Sequence, residues 1–143
     1  MKPYRILVVE DNPADVELVQ MALEQHKVPA QLEVVRDGEA AIERLQRTSP
    51  ETAGIDLLLL DLNLPRHNGL TVLEKFRAQP HRACTPVIIM TSAESSTLPQ
   101  LAQWLGANLY FRKPINLDEF MQLGFLVRHV LQPLGDTESQ RSS

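Results

Sequence analysis

The chain holds a single cysteine, Cys84, in 143 residues, so no internal disulfide can form and a reducing compartment fits. Basic residues are not in excess. Lys and Arg number 14 against 18 Asp and Glu, the net charge is -4, and no basic cluster stands out. That balance counts against nucleic acid as a direct partner. Long apolar runs are missing too. The first, Ile6 to Val9, is far too short for a signal peptide or a membrane span. A cytoplasmic protein with no membrane segment is expected. No glycine-rich loop is present to cradle a phosphate, which argues against nucleotide binding. His26, His67 and His129 show no ligand spacing. Cys84 and His81 lie close together, but two ligands in a loop do not make a zinc site.

What is present is ordinary for one globular domain: 43% hydrophobic and 22% charged residues, with enough length to bury a core unaided. The organising stretch is Ile55 to Pro65, in which a run of four leucines, Leu57 to Leu60, ends abruptly on the Asp61 carboxylate. The run is too short for a helix and reads as strand three, Asp56 to Leu60, buried on both faces. Before it, Tyr4 to Val9 reads as strand one and ends at Glu10-Asp11. Asn12-Pro13 opens a helix that Pro29 stops, with asparagine as cap and proline at the first helical position. Leu32 to Val35 is a short strand two. Asp37-Gly38 turns the chain into helix two, and a polar loop covers Thr48 to Gly54.

After Asp61 the spacing predicts helix three over Gly69 to Ala78, strand four over Pro86 to Met90 and helix four over Thr97 to Leu105. Strand five is Leu109 to Phe111, ending at Arg112-Lys113-Pro114. Asn116 caps a fifth helix running to about Leu131, and Asp136 to Ser143 is a polar tail expected to be disordered. Five βα units in succession predict an α/β fold with a parallel sheet and helices on both faces. The domain is set at 4–131, and 132–143 is the tail.

The strand ends carry Glu10-Asp11, Asp61, Thr91 and Lys113. In a parallel sheet these ends share one edge, where ligands bind. Three carboxylates gathered there would repel one another and raise each other's pKa values, and a divalent cation resolves the conflict. Oxygen-only ligands, few in number, favour Mg²⁺ over Ca²⁺. The ion and Lys113 would neutralise phosphoryl oxygens, the Thr91 hydroxyl would donate to one, and Asp61 would be the nucleophile forming an acyl phosphate. Each residue has a plainer reading: Asp61 as a loop cap, Glu10-Asp11 as a helix cap complementing the dipole, Lys113 as a surface lysine. Ser92 rivals Thr91.

With these motifs in order, the chain resembles a response-regulator receiver domain, the phosphorylation target of two-component signalling. The match runs from about Tyr4 to Leu131: the acid pair Glu10-Asp11, the acceptor Asp61, Pro65 and Gly69 after it, the switch Thr91, and Lys113-Pro114. Tyr110, three before the lysine, fits the family's aromatic switch position, and Phe111 is its rival.

The resemblance implies a flavodoxin-like sheet of order 2-1-3-4-5 with five helices. It implies a sensor histidine kinase whose phosphohistidine donates to Asp61, and Mg²⁺ held by Asp11, Asp61 and the backbone carbonyl of Asn63, with Glu10 acting through water. Lys113 would pair with the phosphorylated acceptor, Thr91 would move toward the phosphoryl group, and Tyr110 would turn inward. The Lys113–Pro114 bond would be cis. Asn63 and Ala93 would flank the path of an attacking water. The phrases Asp11-Asn12-Pro13-Ala14-Asp15 and Asp61-Leu62-Asn63-Leu64-Pro65 resemble the single-domain regulators that serve bacterial phytochromes.

The fifth helix carries two apolar stripes. Phe120, Gly124, Val127 and Leu131 are expected to face the sheet, with Gly124 admitting a neighbouring strand. Leu123, Leu126 and Val130, with Trp104 of helix four, are expected to form an interface for a homodimer or another protein. No effector domain is expected, so output would pass through protein contact or through handing the phosphoryl group to a further histidine. Three other classes compete. A degenerate receiver used only for docking is opposed by the intact acceptor, acid pair and lysine. A magnesium phosphohydrolase would want a second acid where Asn63 stands. A flavin module would want a hydroxyl-rich loop where Glu10-Asp11 stand.

Overall fold

A computed structural model describes residues 2–47, 54–66, 68–93 and 95–132. His67, most of the loop expected before strand three and the tail beyond Gln132 lie outside them. The sheet strands are β1 (Tyr4–Val9), β2 (Ala30–Val35), β3 (Leu57–Asp61), β4 (Val87–Thr91) and β5 (Leu109–Arg112). All neighbours pair in parallel, in the order β2-β1-β3-β4-β5. The helices are α1 (Pro13–Gln25), α2 (Gly38–Gln46), α3 (Gly69–Ala78), α4 (Leu98–Trp104), α5 (Leu117–Phe120) and α6 (Gln122–Leu131).

The four leucines of β3 explain the architecture. Side chains alternate along a strand. Leu57 and Leu59 enter one core with α1 and α6, while Leu58 and Leu60 enter the other with α2 and α3. Central strands of a doubly wound sheet are covered on both faces, so the run is continuous rather than alternating. No helix among the described residues is long and apolar enough to cross a membrane.

Asparagine and aspartate set the helix starts. Asn12 accepts from the Ala14 amide at 2.9 Å, and Pro13 follows where its missing N–H costs nothing. Asp37 caps α2 through the Ala40 amide at 2.7 Å, so the expected Asp37-Gly38 turn is already the helix entry. Asn68 accepts from the Thr71 amide at 3.0 Å. Asn116 accepts from Asp118 and Glu119.

Three expectations are corrected. The last helix is interrupted at Met121 and comprises α5 and α6. Gly124 admits helix α1, not a strand: a Cβ there would lie 2.1 Å from the Ala22 carbonyl oxygen. The second apolar stripe does not face outward. Because α6 packs on α1 as well as on the sheet, Leu123 is fully buried and Leu126 and Val130 pack against the same core. Phe125, 54% exposed, takes the outward position instead.

Candidate functional site

Each site residue stands at or just beyond the carboxyl end of a strand. Glu10 and Asp11 follow β1, Asp61 closes β3, Thr91 closes β4 and Lys113 follows β5. The loop after Asp61 is held close by Gly69, whose amide donates to the Leu62 carbonyl at 3.1 Å. A Cβ at Gly69 would sit 2.4 Å from the Asp61 carbonyl oxygen and 2.7 Å from Leu62 Cα. Only glycine lets α3 start that near the acceptor strand.

Lys113 Nζ lies at the centre. It donates to Glu10 Oε1, to Asp15 Oδ2 at 2.9 Å and to Asp61 Oδ2 at 3.1 Å. Glu10 is 1% exposed and Asp61 4% exposed. Glu10 Oε2 accepts from the Asn12 amide at 3.1 Å, and Asp61 Oδ1 accepts from the Asn63 amide at 3.0 Å. Burial pushes the Glu10 carboxyl up to about 7, helped by the Asp61 charge and opposed by Lys113. Burial alone would pull Lys113 down. Its hydrogen bonds to Asp15 and Glu10, with the Asp61 and Glu10 charges, outweigh that and hold the ammonium well above its ordinary range.

One carboxylate oxygen each from Glu10, Asp11 and Asp61 lies within 4.8 Å of the others. Opposite ligands of a Mg²⁺ octahedron are about 4.2 Å apart, so the spacing of this set is near what one ion requires. The donors are all hard oxygens, and Asp11 is exposed, leaving room for water or a phosphoryl oxygen. The residues present fit a small divalent cation.

Thr91 is fully buried, and its hydroxyl accepts from the Ala93 amide at 3.1 Å. Ser92 is exposed. Strand alternation separates Tyr110 from Phe111. Tyr110 joins the core that holds Val87 and Ile89, on the face to which alternation assigns Thr91. Phe111 packs on the opposite face, edge-on to Phe120 at 5.7 Å between centroids. The Tyr110 hydroxyl is buried without a hydrogen-bond partner, and burial raises its pKa.

Two expectations change here. No peptide bond among the described residues is cis, so Lys113–Pro114 is trans. Trans is the lower-energy isomer of an X-Pro bond, and from it the lysine already reaches all three carboxylates. Asp15 was not among the expected site residues, yet it binds Lys113. The available signal was its spacing. It stands in the first turn of α1, just after the Glu10-Asp11 pair, and so at the same rim.

Comparison with known proteins agrees with this geometry. The family model for the response regulator receiver domain matches residues 6–123. The response regulator Rcp1 of Synechocystis is 34% identical over 126 residues, covering 85% of this chain and 84% of Rcp1. A phosphorylated cyanobacterial phytochrome response regulator, RcpA, superposes with a TM-score of 0.81 at 30% identity, covering 92% of this chain and 96% of RcpA. The Mn²⁺-bound form of Rcp1 does so with the same TM-score at 31% identity, with coverage of 92% and 96%.

Proposed function

The chain belongs to the response regulator receiver domain family, and from that premise we propose that it is a single-domain phosphorylation switch, with residues 4–131 as the receiver and Asp61 as its acceptor. The donor is the phosphohistidine of a sensor histidine kinase. An Asp61 carboxylate oxygen attacks phosphorus, the P–N bond breaks as the O–P bond forms, and the departing imidazole takes its proton from solvent. A bound Mg²⁺ would neutralise charge on the transferring group, held by Asp11, Asp61 and the backbone carbonyl of Asn63, with Glu10 reaching it through water. Lys113 turns an N–H from Asp61 toward the new phosphoryl oxygens. Thr91 exchanges its bond from the Ala93 amide for one to the phosphoryl group. Tyr110, on the same face, moves into the space Thr91 leaves.

The observation that carries this reading is the buried acceptor itself: Asp61 at 4% exposure, 3.1 Å from Lys113, with the Glu10 and Asp11 oxygens alongside. A phosphohydrolase is not favoured, because the side chain two positions on is the amide of Asn63, which cannot act as general acid. Self-dephosphorylation is therefore slow. The likeness to Rcp1 and RcpA supports a phytochrome-type kinase as partner. A homodimer through α4 and the last helix is supported by Trp104, 82% exposed, and by its exposed neighbour Leu101. The free, exposed Cys84 fits the reducing cytoplasm.

The test compares Asp61→Asn with the parent, each treated with a small acyl-phosphate donor and Mg²⁺ and weighed intact. The parent gains one phosphoryl group and the variant none. A parent of unchanged mass, or a variant that gains the group equally, refutes the assignment.

A further inference from the structure

Lys113 has three N–H bonds, and in this structure three carboxylates take them: Glu10, Asp15 and Asp61. When Asp61 becomes an acyl phosphate, negative charge moves from its carboxylate to the phosphoryl oxygens. As the donor that served Asp61 turns to the phosphoryl oxygens, the ammonium is drawn outward and must loosen one of its two remaining contacts. Glu10 releases it at the greater cost, because its side chain is fully buried. Asp15 releases it at the lesser cost, because its side chain is 20% exposed and solvent reaches it at the first turn of α1. We propose that Asp15 is a positioning residue that competes with the phosphoryl group for Lys113, so that its charged contact at 2.9 Å holds the unphosphorylated state and is given up when the acceptor is modified.

The inference rests on the phosphoacceptor reading and adds a residue to it. The competition has a definite sign. Removing the Asp15 charge frees one lysine donor in advance, so the phosphorylated-like state forms more easily.

The experiment measures the affinity of beryllofluoride, an unreactive phosphoryl mimic, in the presence of Mg²⁺ by calorimetry. Asp15→Asn binds it about tenfold more tightly than the parent, as expected for one charged hydrogen bond no longer broken. Glu17→Gln removes the same charge from an exposed position of α1 and leaves the affinity unchanged. In a Lys113→Met background, Asp15→Asn has no effect. A second readout needs no ligand. The Lys113 ammonium protons, followed by ¹H–¹⁵N NMR, exchange with water several-fold faster in Asp15→Asn than in the parent. Equal or weaker beryllofluoride binding by Asp15→Asn, an equal gain from Glu17→Gln, a gain that persists without Lys113, or unchanged ammonium exchange each overturns the proposal. If the parent itself fails to bind beryllofluoride, the phosphoacceptor reading is what has failed, and ammonium exchange alone then judges the Asp15 contact.

Discussion

Two cations sit at opposite edges of the same sheet and have opposite company. Lys113, beyond the carboxyl ends of the strands, meets three carboxylates. Arg77, near the amino ends of β4 and β5, meets neutral oxygens. Its guanidinium donates to the carbonyls of Gly106, Arg82 and Thr85 and to Asn108 Oδ1, at 2.6–3.0 Å. Asn108 Oδ1 also accepts from the Val87 amide at 2.8 Å. Around Arg77 every donor has an acceptor and no further charge is wanted. The knot ties α3 to the loops entering β4 and β5. Around Lys113 the anions outnumber the cation, and burial, helped by the Asp61 charge, drives the Glu10 carboxyl up to about 7. A surplus of buried negative charge is a standing demand for a second cation. The same sheet thus has one edge built for stability and one for binding.

The comparison is open to attack from both ends. The largest stability effect belongs to Arg77→Ala. It strips several buried or half-buried carbonyls of their donor and lowers the free energy of unfolding by about 3 kcal/mol in a urea titration. Phosphoryl uptake per folded molecule, read by intact mass, stays at the parent level. Lys113→Met does the reverse. Uptake falls by about tenfold or more, because an electrostatic contact to the transferring group is gone. With Mg²⁺ added, stability falls less than in Arg77→Ala, since the ion replaces the lost cation among the carboxylates. If Arg77→Ala abolishes uptake while remaining folded, the division between the two edges is wrong.

A smaller effect concerns pH. Glu10 titrates near 7 in the folded protein against an ordinary 4.5, so the folded state holds the proton more tightly than the unfolded one. Its contribution to stability is complete below about pH 4.5 and is lost as the pH rises through about 7. The metal-free protein should therefore lose stability across that window, and Glu10→Gln should flatten the dependence. Mg²⁺ binds the ionised cluster and should restore stability most strongly on the alkaline side. Urea midpoints at several pH values, with and without the ion, check both signs. The smallest change in stability, within about 0.5 kcal/mol, is expected of Trp104→Ala on the exposed face of α4. If the homodimer uses that face, its sedimentation shifts to monomer. A parent that sediments only as monomer removes the dimer.

Much of the site is legible in the sequence. Asp61 stands out because an acid abruptly ends a run of leucines. Thr91 and Lys113 stand out because parallel strands bring their ends to one edge. What is not legible there depends on packing between elements. Asp15 looks like an ordinary first-turn acid until Lys113, just beyond β5, is seen to reach it. The outward stripe assigned to Leu123, Leu126 and Val130 failed because helical periodicity says that two faces are apolar, not whether a second helix covers one of them. Here α1 does, through the close approach at Gly124. Tyr110 and Phe111 were both open until β-strand alternation was anchored to β4.

The chain itself dictated the strands, their caps and the set of charged groups at their ends, because apolar periodicity, proline and asparagine act over a few neighbouring residues. Only the tertiary structure decided which carboxylates share Lys113, which aromatic lies on the face of Thr91, and that Lys113–Pro114 is trans. Those outcomes turn on distances between strands and helices far apart in the chain, and on how deeply each charge is withdrawn from water.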